Sequence, residues 1–135
     1  MNKYILPSLL FVSSLSFGAD GYKVYKTHCM KCHAELLTKK QTLKEMDTLK
    51  APPMNEVSNR LKENIQIADD DDDVKKRVII AFIKDYIQNP KLDDSMCHAG
   101  ALEKFGVMPA QKQLSEEERQ AVAKWIVERY EDVKF

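Results

Sequence analysis

The sequence has no excess charge of either sign: 21 Lys and Arg stand against 21 Asp and Glu, a formal net charge of +0. A nucleic-acid-binding domain is normally basic, so that class is set aside. No stretch alternates apolar and polar residues as a half-buried strand does, and no segment repeats. An α/β architecture, which needs strands between its helices, has no support. The most apolar segment, "YILPSLLFVSSLSFGA" at 4–19, is short for a membrane span of about 20 residues, and Pro7 interrupts it. What the chain does have is 44% hydrophobic residues in 135, enough for one domain around one core. Its cysteines and histidines are few, three of each, and two of each fall within "THCMKCHAEL" at 27–36.

The amino-terminal segment carries Lys3, a short apolar middle and small residues at its end. That is the layout of a secretory signal. Residues 1–19 are expected to be cleaved, after Ala19 or Gly18, leaving a domain at 20–135. The expected location is the periplasm, an oxidising compartment in which spare thiols tend to be consumed. No stable membrane insertion is expected once the signal is gone.

Four helices are expected along the mature chain. "DGYKVYKTHCMKCH" (20–33) leads into the cysteine cluster, with Val24 and His28 on one face and Gly21 and Tyr25 on another. Gly21 is costly early in a helix unless a close backbone contact needs it. Residues 37–57 are polar, contain Pro52 and Pro53, and read as a long loop with one helical turn. "NEVSNRLKENI" (55–65) places Val57, Leu61 and Ile65 on a stripe. A stronger helix at 69–90 has a wide apolar face of Val74, Val78, Ile79, Ala81, Phe82, Ile83 and Tyr86. Its Asp run lies at the positive end of the helix dipole, as a solvated start, and lacks the spaced ligands and turn glycine of a calcium loop. "FGVMPAQKQ" (105–113) is a loop. The last helix (114–135) opens with a Ser115–Glu118 capping box after Leu114 and turns Val122, Trp125, Ile126 and Tyr130 inward. The fold class is all-α with long loops.

Cys29 and Cys32 lie one helical turn apart, with His33 four residues after Cys29 on the same side. Three chemistries use such a cluster. Two thiols at this spacing add to the two vinyl groups of haem, and the adjacent imidazole reaches the iron. Cys29, Cys32 and Cys97 with His33 or His98 offer four soft ligands to zinc. Thiol redox needs the C-x-x-C at a strand-to-helix junction, and no such junction is present. Haem makes further demands: a sixth iron ligand from a distant loop, an apolar shell, and a group accepting the second imidazole N–H. Met108, in "FGVMP" before a capped helix, is the first candidate for the sixth ligand. Met54, His98, His28 and an open iron are the alternatives.

The chain resembles the class I, monohaem c-type cytochromes. The resemblance rests on "GYKVYKTHCMKCH", "APPM" and "GVMPAQKQLSEEERQAVAKWI" and extends over 20–135. It implies a small helical domain wrapped around one covalently bound haem c. It further implies that the first and last helices cross, Gly21 and Tyr25 meeting Trp125 and Tyr130. "APP" at 51–53 resembles the family's Gly-Pro stretch, with Ala51 in place of glycine. The carbonyl of Pro52 or Pro53 would then accept the Nδ1–H of His33. Met54 would line an apolar pocket.

The function implied is one-electron transfer in the periplasm, with Cys29 and Cys32 as haem thioethers and His33 and Met108 as iron ligands. It is not an enzyme on this reading, although a place in a redox enzyme complex stays open. Membrane or periplasmic oxidoreductases are the expected partners, docking at a haem edge that Lys39, Lys40, Lys44, Lys104 and Lys112 could ring. Two other classes stay open: a haem subunit or sensor with a displaceable sixth ligand, and a zinc-stabilised exported binding module using Cys97. Otherwise Cys97, without an intrachain partner, is a buried or inert thiol, with an intermolecular disulfide as the alternative.

Overall fold

The computed structural model describes residues 18–68 and 71–135; residues 1–17, most of the expected signal segment at 1–19, and two residues of the Asp run, Asp69 and Asp70, lie outside the described residues. Among the described residues six helices follow one another: α1 Gly21–His28, α2 Lys39–Glu45, α3 Met54–Asn64, α4 Asp72–Gln88, α5 Ala99–Phe105 and α6 Glu116–Arg129. The described residues contain no strand, so the chain is all-α. None of these helices is long and apolar enough to cross a membrane.

Local chemistry sets the helix starts. Asp20 accepts from the N–H groups of Tyr22 and Lys23, and Asp71 from those of Asp73 and Val74. Each satisfies donors that an α-helix leaves orphaned. Thr38 with Gln41, and Ser115 with Glu118, form capping boxes for α2 and α6. α1 ends earlier than its sequence pattern suggests. Regular helix stops at His28, and residues 29–32 continue as a turn. The His33 N–H still bonds to the Cys29 carbonyl at 2.9 Å, so the i to i+4 relation of the two survives. α2 fills the middle of what reads as loop, and α5 appears in a stretch where no helix is expected.

The core is built where α6 meets α1 and α4. Val24, Tyr25, Leu61, Ile79, Ile83, Leu114, Val122, Ala123, Ile126 and Tyr130 are buried there. Gly21 explains itself at the crossing: a Cβ on it would lie 2.6 Å from Trp125 Cβ and against the Ala121 carbonyl. Only glycine lets the two helices approach this closely. Tyr25 stacks on Trp125 with ring centres 4.7 Å apart, and Tyr130 meets Trp125 edge-on at 6.0 Å. The α4 face is narrower than its apolar content suggests. Ile79 and Ile83 are buried, but Val78 is 40% exposed and Ala81 faces solvent. Phe82, Tyr86 and Ile87 line a cleft instead.

Candidate haem cleft

The segment that follows Cys32 is held by its backbone carbonyls. Tyr25 Oη donates to the His33 carbonyl at 2.6 Å, and Tyr130 Oη to that of Glu35 at 2.8 Å. Between them, the Met54 N–H donates to the Ala34 carbonyl at 2.7 Å. Two residues on, Asn55 donates Nδ2–H to the Leu37 carbonyl at 2.8 Å and accepts the Leu37 N–H at 3.2 Å. Asn55 is buried, and this pairing satisfies its amide.

His33 Nδ1 lies 2.7 Å from the Pro52 carbonyl oxygen. A carbonyl only accepts, so Nδ1 carries the proton and Nε2 keeps its lone pair. Desolvation holds the His33 pKa below its usual value, against the opposing pull of the Pro52 bond. Neutral imidazole is the metal-binding form. The neighbouring proline does other work. Pro53 is fully buried, and its carbonyl accepts the N–H groups of Glu56 and Val57 as α3 begins. The His33 partner is therefore Pro52, and Pro53 is a helix start.

His33, Cys29, Cys32 and Pro52 open onto a cleft of about 190 Å³. Its lining is mostly apolar, with Phe82 and Ile83 from α4, Phe105 from α5 and Ile126 from α6. Met54, Met96 and Met108 all line it. Met108 is carried by the loop between α5 and α6. Gly106, at φ 68°, ends α5 in a conformation that suits glycine and turns the chain into that loop. Beyond Met108, the Gln111 N–H bonds to the Ile87 carbonyl at 2.7 Å and ties the loop to the end of α4.

Burial pushes the Cys29 thiol up to about 11, with Cys32 adding to the effect. The uncharged thiol is thus favoured. Cys97 lines the same cleft, and its N–H donates to Ser95 Oγ at 3.3 Å. All three cysteines are free, and among the described residues no three His, Cys, Asp or Glu side chains gather as a metal cluster. His98 is exposed at the N-cap of α5; His28 lines the cleft.

The basic residues that line the cleft are distinct from those expected to ring its docking edge. Lys31, Lys50 and Arg60 line it, whereas Lys39, Lys40, Lys44, Lys104 and Lys112 do not, and Lys104 pairs with Asp47 at 3.3 Å. Lys31 could have been found from its place inside the C-x-x-C turn. Arg60 sits beside the apolar stripe of α3 and carries no mark of its own in the sequence.

A helical domain whose apolar cleft collects three thiols, two of them in a C-x-x-C-H turn, a carbonyl-held imidazole and several thioethers has the features of a haem protein. Residues 18–129 match the Cytochrome c family, and the chain belongs to that family. It is also 41% identical over 121 residues to an uncharacterized protein of Aquifex aeolicus (strain VF5), the match covering 83% of this chain and 74% of the relative. No solved structure matches it. The cofactor of the family is covalently bound haem c with its iron. The cleft suits that group: its lining is mostly apolar, the His33 imidazole presents a free Nε2, and Cys29 and Cys32 stand three residues apart.

Proposed function

We propose that this cytochrome c is a periplasmic one-electron carrier, with haem c joined to Cys29 and Cys32 and its iron held by His33 and Met108. The observation that carries the reading is the His33 Nδ1–H bond to Pro52, made at the wall of an apolar cleft that Cys29, Cys32 and Met108 share. Haem c supplies a one-electron ferric–ferrous couple when bound. Pro52 orients the imidazole and raises the basicity of Nε2. Met108, a soft thioether, favours the ferrous state. Phe82, Ile83, Phe105 and Ile126 exclude water. Two fixed side-chain ligands leave no coordination place for a substrate, which favours a carrier over an enzyme.

Met54 is a weaker candidate for the sixth ligand. Its N–H bonds to Ala34, so it belongs to the same strip of backbone that holds His33. Export rests on the amino-terminal sequence pattern. Redox proteins are the proposed partners, meeting the cleft where Lys31, Lys50 and Arg60 border it. Such encounters are weak and salt-sensitive.

The test is the purified mature protein. Its mass is expected to equal the chain plus one haem, and the haem is expected to stay with the denatured polypeptide in acid acetone. The ferrous form is expected to bind no carbon monoxide. Extractable haem would overturn the covalent attachment, and ready carbon monoxide binding would favour a sensor or subunit with a displaceable ligand.

A further inference from the structure

Three consecutive carbonyls beginning at His33 are each taken by a different part of the chain: that of His33 by α1, that of Ala34 by the first residue of α3, and that of Glu35 by the residue capping α6. Two of the three donors are tyrosine hydroxyls, and both tyrosines have 0% exposure. Packing does not ask for those hydroxyls. A phenylalanine ring would stack on Trp125 as well, and a buried hydroxyl is costly unless it is bonded. Here both are bonded, and both to the strip that carries His33.

The second tyrosine is itself held in place. Lys62 Nζ donates to the Tyr130 carbonyl at 2.8 Å and to that of Val133 at 3.0 Å. Arg129 Nε donates to the Glu35 carboxylate at 3.1 Å, and its guanidinium lies 5.3 Å from the centre of the Tyr130 ring. Ring and main chain of residue 130 are thus fixed from α3 and α6 before the hydroxyl reaches Glu35. His33 is held twice: Pro52 takes its Nδ1–H, and Tyr25 takes its carbonyl.

We propose that Tyr25 and Tyr130 are positioning residues for the His33 imidazole, their hydroxyls fixing the carbonyls of residues 33 and 35 and so setting the ring against Pro52. The proposal rests on the reading of His33 as an iron ligand. The bond from Nδ1–H to a fixed acceptor raises the basicity of Nε2. If the strip loosens, that bond weakens and Nε2 becomes a poorer donor. Ferric iron then loses more support than ferrous iron, and the reduction potential rises.

The experiment compares Tyr25→Phe and Tyr130→Phe with Tyr22→Phe in the haem-loaded protein. Tyr22 also packs on Trp125, at 5.4 Å, but is 41% exposed. Solvent exchange of the His33 Nδ1 proton is followed by NMR in the ferrous state, relative to the Leu61 amide as a gauge of overall opening. Tyr25→Phe is expected to speed the ring proton on the order of tenfold beyond any change at Leu61, the scale of one lost hydrogen bond, and to raise the potential. Tyr130→Phe is expected to act in the same direction and more weakly, and Tyr22→Phe to change neither. If the His33 proton moves only in step with Leu61 and the potential stays put, the hydroxyls serve stability alone and the proposal is overturned. The unmodified protein provides a check that needs no variant: a slowly exchanging Tyr25 hydroxyl proton close to the His33–Ala34 peptide, whose absence also overturns it. A His33 ring without the large upfield shift of a haem ligand would overturn the ligation reading first, and this proposal with it.

Discussion

Met54 and Met108 both line the cleft, yet they stand on different kinds of backbone. Met54 is 4% exposed, opens α3, and is bonded through its N–H to the His33 strip. Met108 is half-buried in a loop tied down at Gln111. Met108→Ala is expected to lower the potential and open the iron to carbon monoxide or cyanide, read from the visible spectrum. Met54→Ala is expected to leave the iron closed and to destabilise the fold by about 2–5 kcal/mol, as a buried truncation does, read by denaturant unfolding. Glu56 gives a pH-dependent expectation. Burial raises its pKa, with Arg60 and Lys39 opposing. A carboxyl whose folded pKa lies above its unfolded value weakens the fold once it ionises. The penalty is absent in acid, where both states are protonated, and complete above the folded pKa. Glu56→Gln is therefore expected to raise the melting temperature at neutral pH and to lose that advantage below the ordinary carboxylate range. At this scale the sequence marked the C-x-x-C-H run and the Met108 loop with its Gly106 and Pro109, and the structure brings both to one cleft. The sequence held no hint that the hydroxyl of Tyr25 reaches the His33 carbonyl, because that contact forms only after the chain leaves helix at His28.

At the scale of elements, the α1–α6 crossing is the joint on which the fold depends. Gly21→Ala would push a methyl into the Ala121 carbonyl and Trp125 Cβ. It is expected to cost about 1–3 kcal/mol, the range of overpacking, and to part the Tyr25–Trp125 stack, read by unfolding and by tryptophan fluorescence. Ser115→Ala removes one arm of the α6 capping box and is expected to cost about 1 kcal/mol in the same assay. The box could be read from S-x-x-E; Gly21 alone pointed only to a close backbone contact, and the crossing itself came from the family resemblance. α5 could not be read, and the reason is physical. None of its residues is buried, so "AGALEKF" has no need of the periodic stripe that reveals a core helix. The width of the α4 face misleads for a related reason. Its apolar residues serve two clients, the core through Ile79 and Ile83 and the cleft through Phe82, Tyr86 and Ile87.

At the scale of the whole molecule, two kinds of packing divide the chain. α1, α3, α4 and α6 bury side chains against one another, while α5 and the loop carrying Met108 face the cleft. A Cys29→Ala, Cys32→Ala double variant, made without haem, is expected to keep the first group partly helical. The second group is expected to lose its amide protection, as mapped by hydrogen exchange. Uniform loss across all six helices would show instead that the core cannot form without haem. For the exported protein, sequencing the mature amino terminus is expected to find Asp20 or Ala19 first; an intact Met1 on haem-loaded protein would point to a retained anchor.

The Gly21 joint also sets an order of events in time. Synthesis delivers a chain amino end first. Cys29 and Cys32 therefore emerge early, and the α6 surface that Gly21 must meet, at Ala121 and Trp125, emerges almost last. Until it arrives, Tyr130 cannot bond to Glu35 and Ile126 cannot complete the cleft wall. The two thiols thus spend nearly the whole period of delivery beside an unfinished wall. Completion of the carboxyl-terminal helix then closes that wall, like a door whose latch is made last.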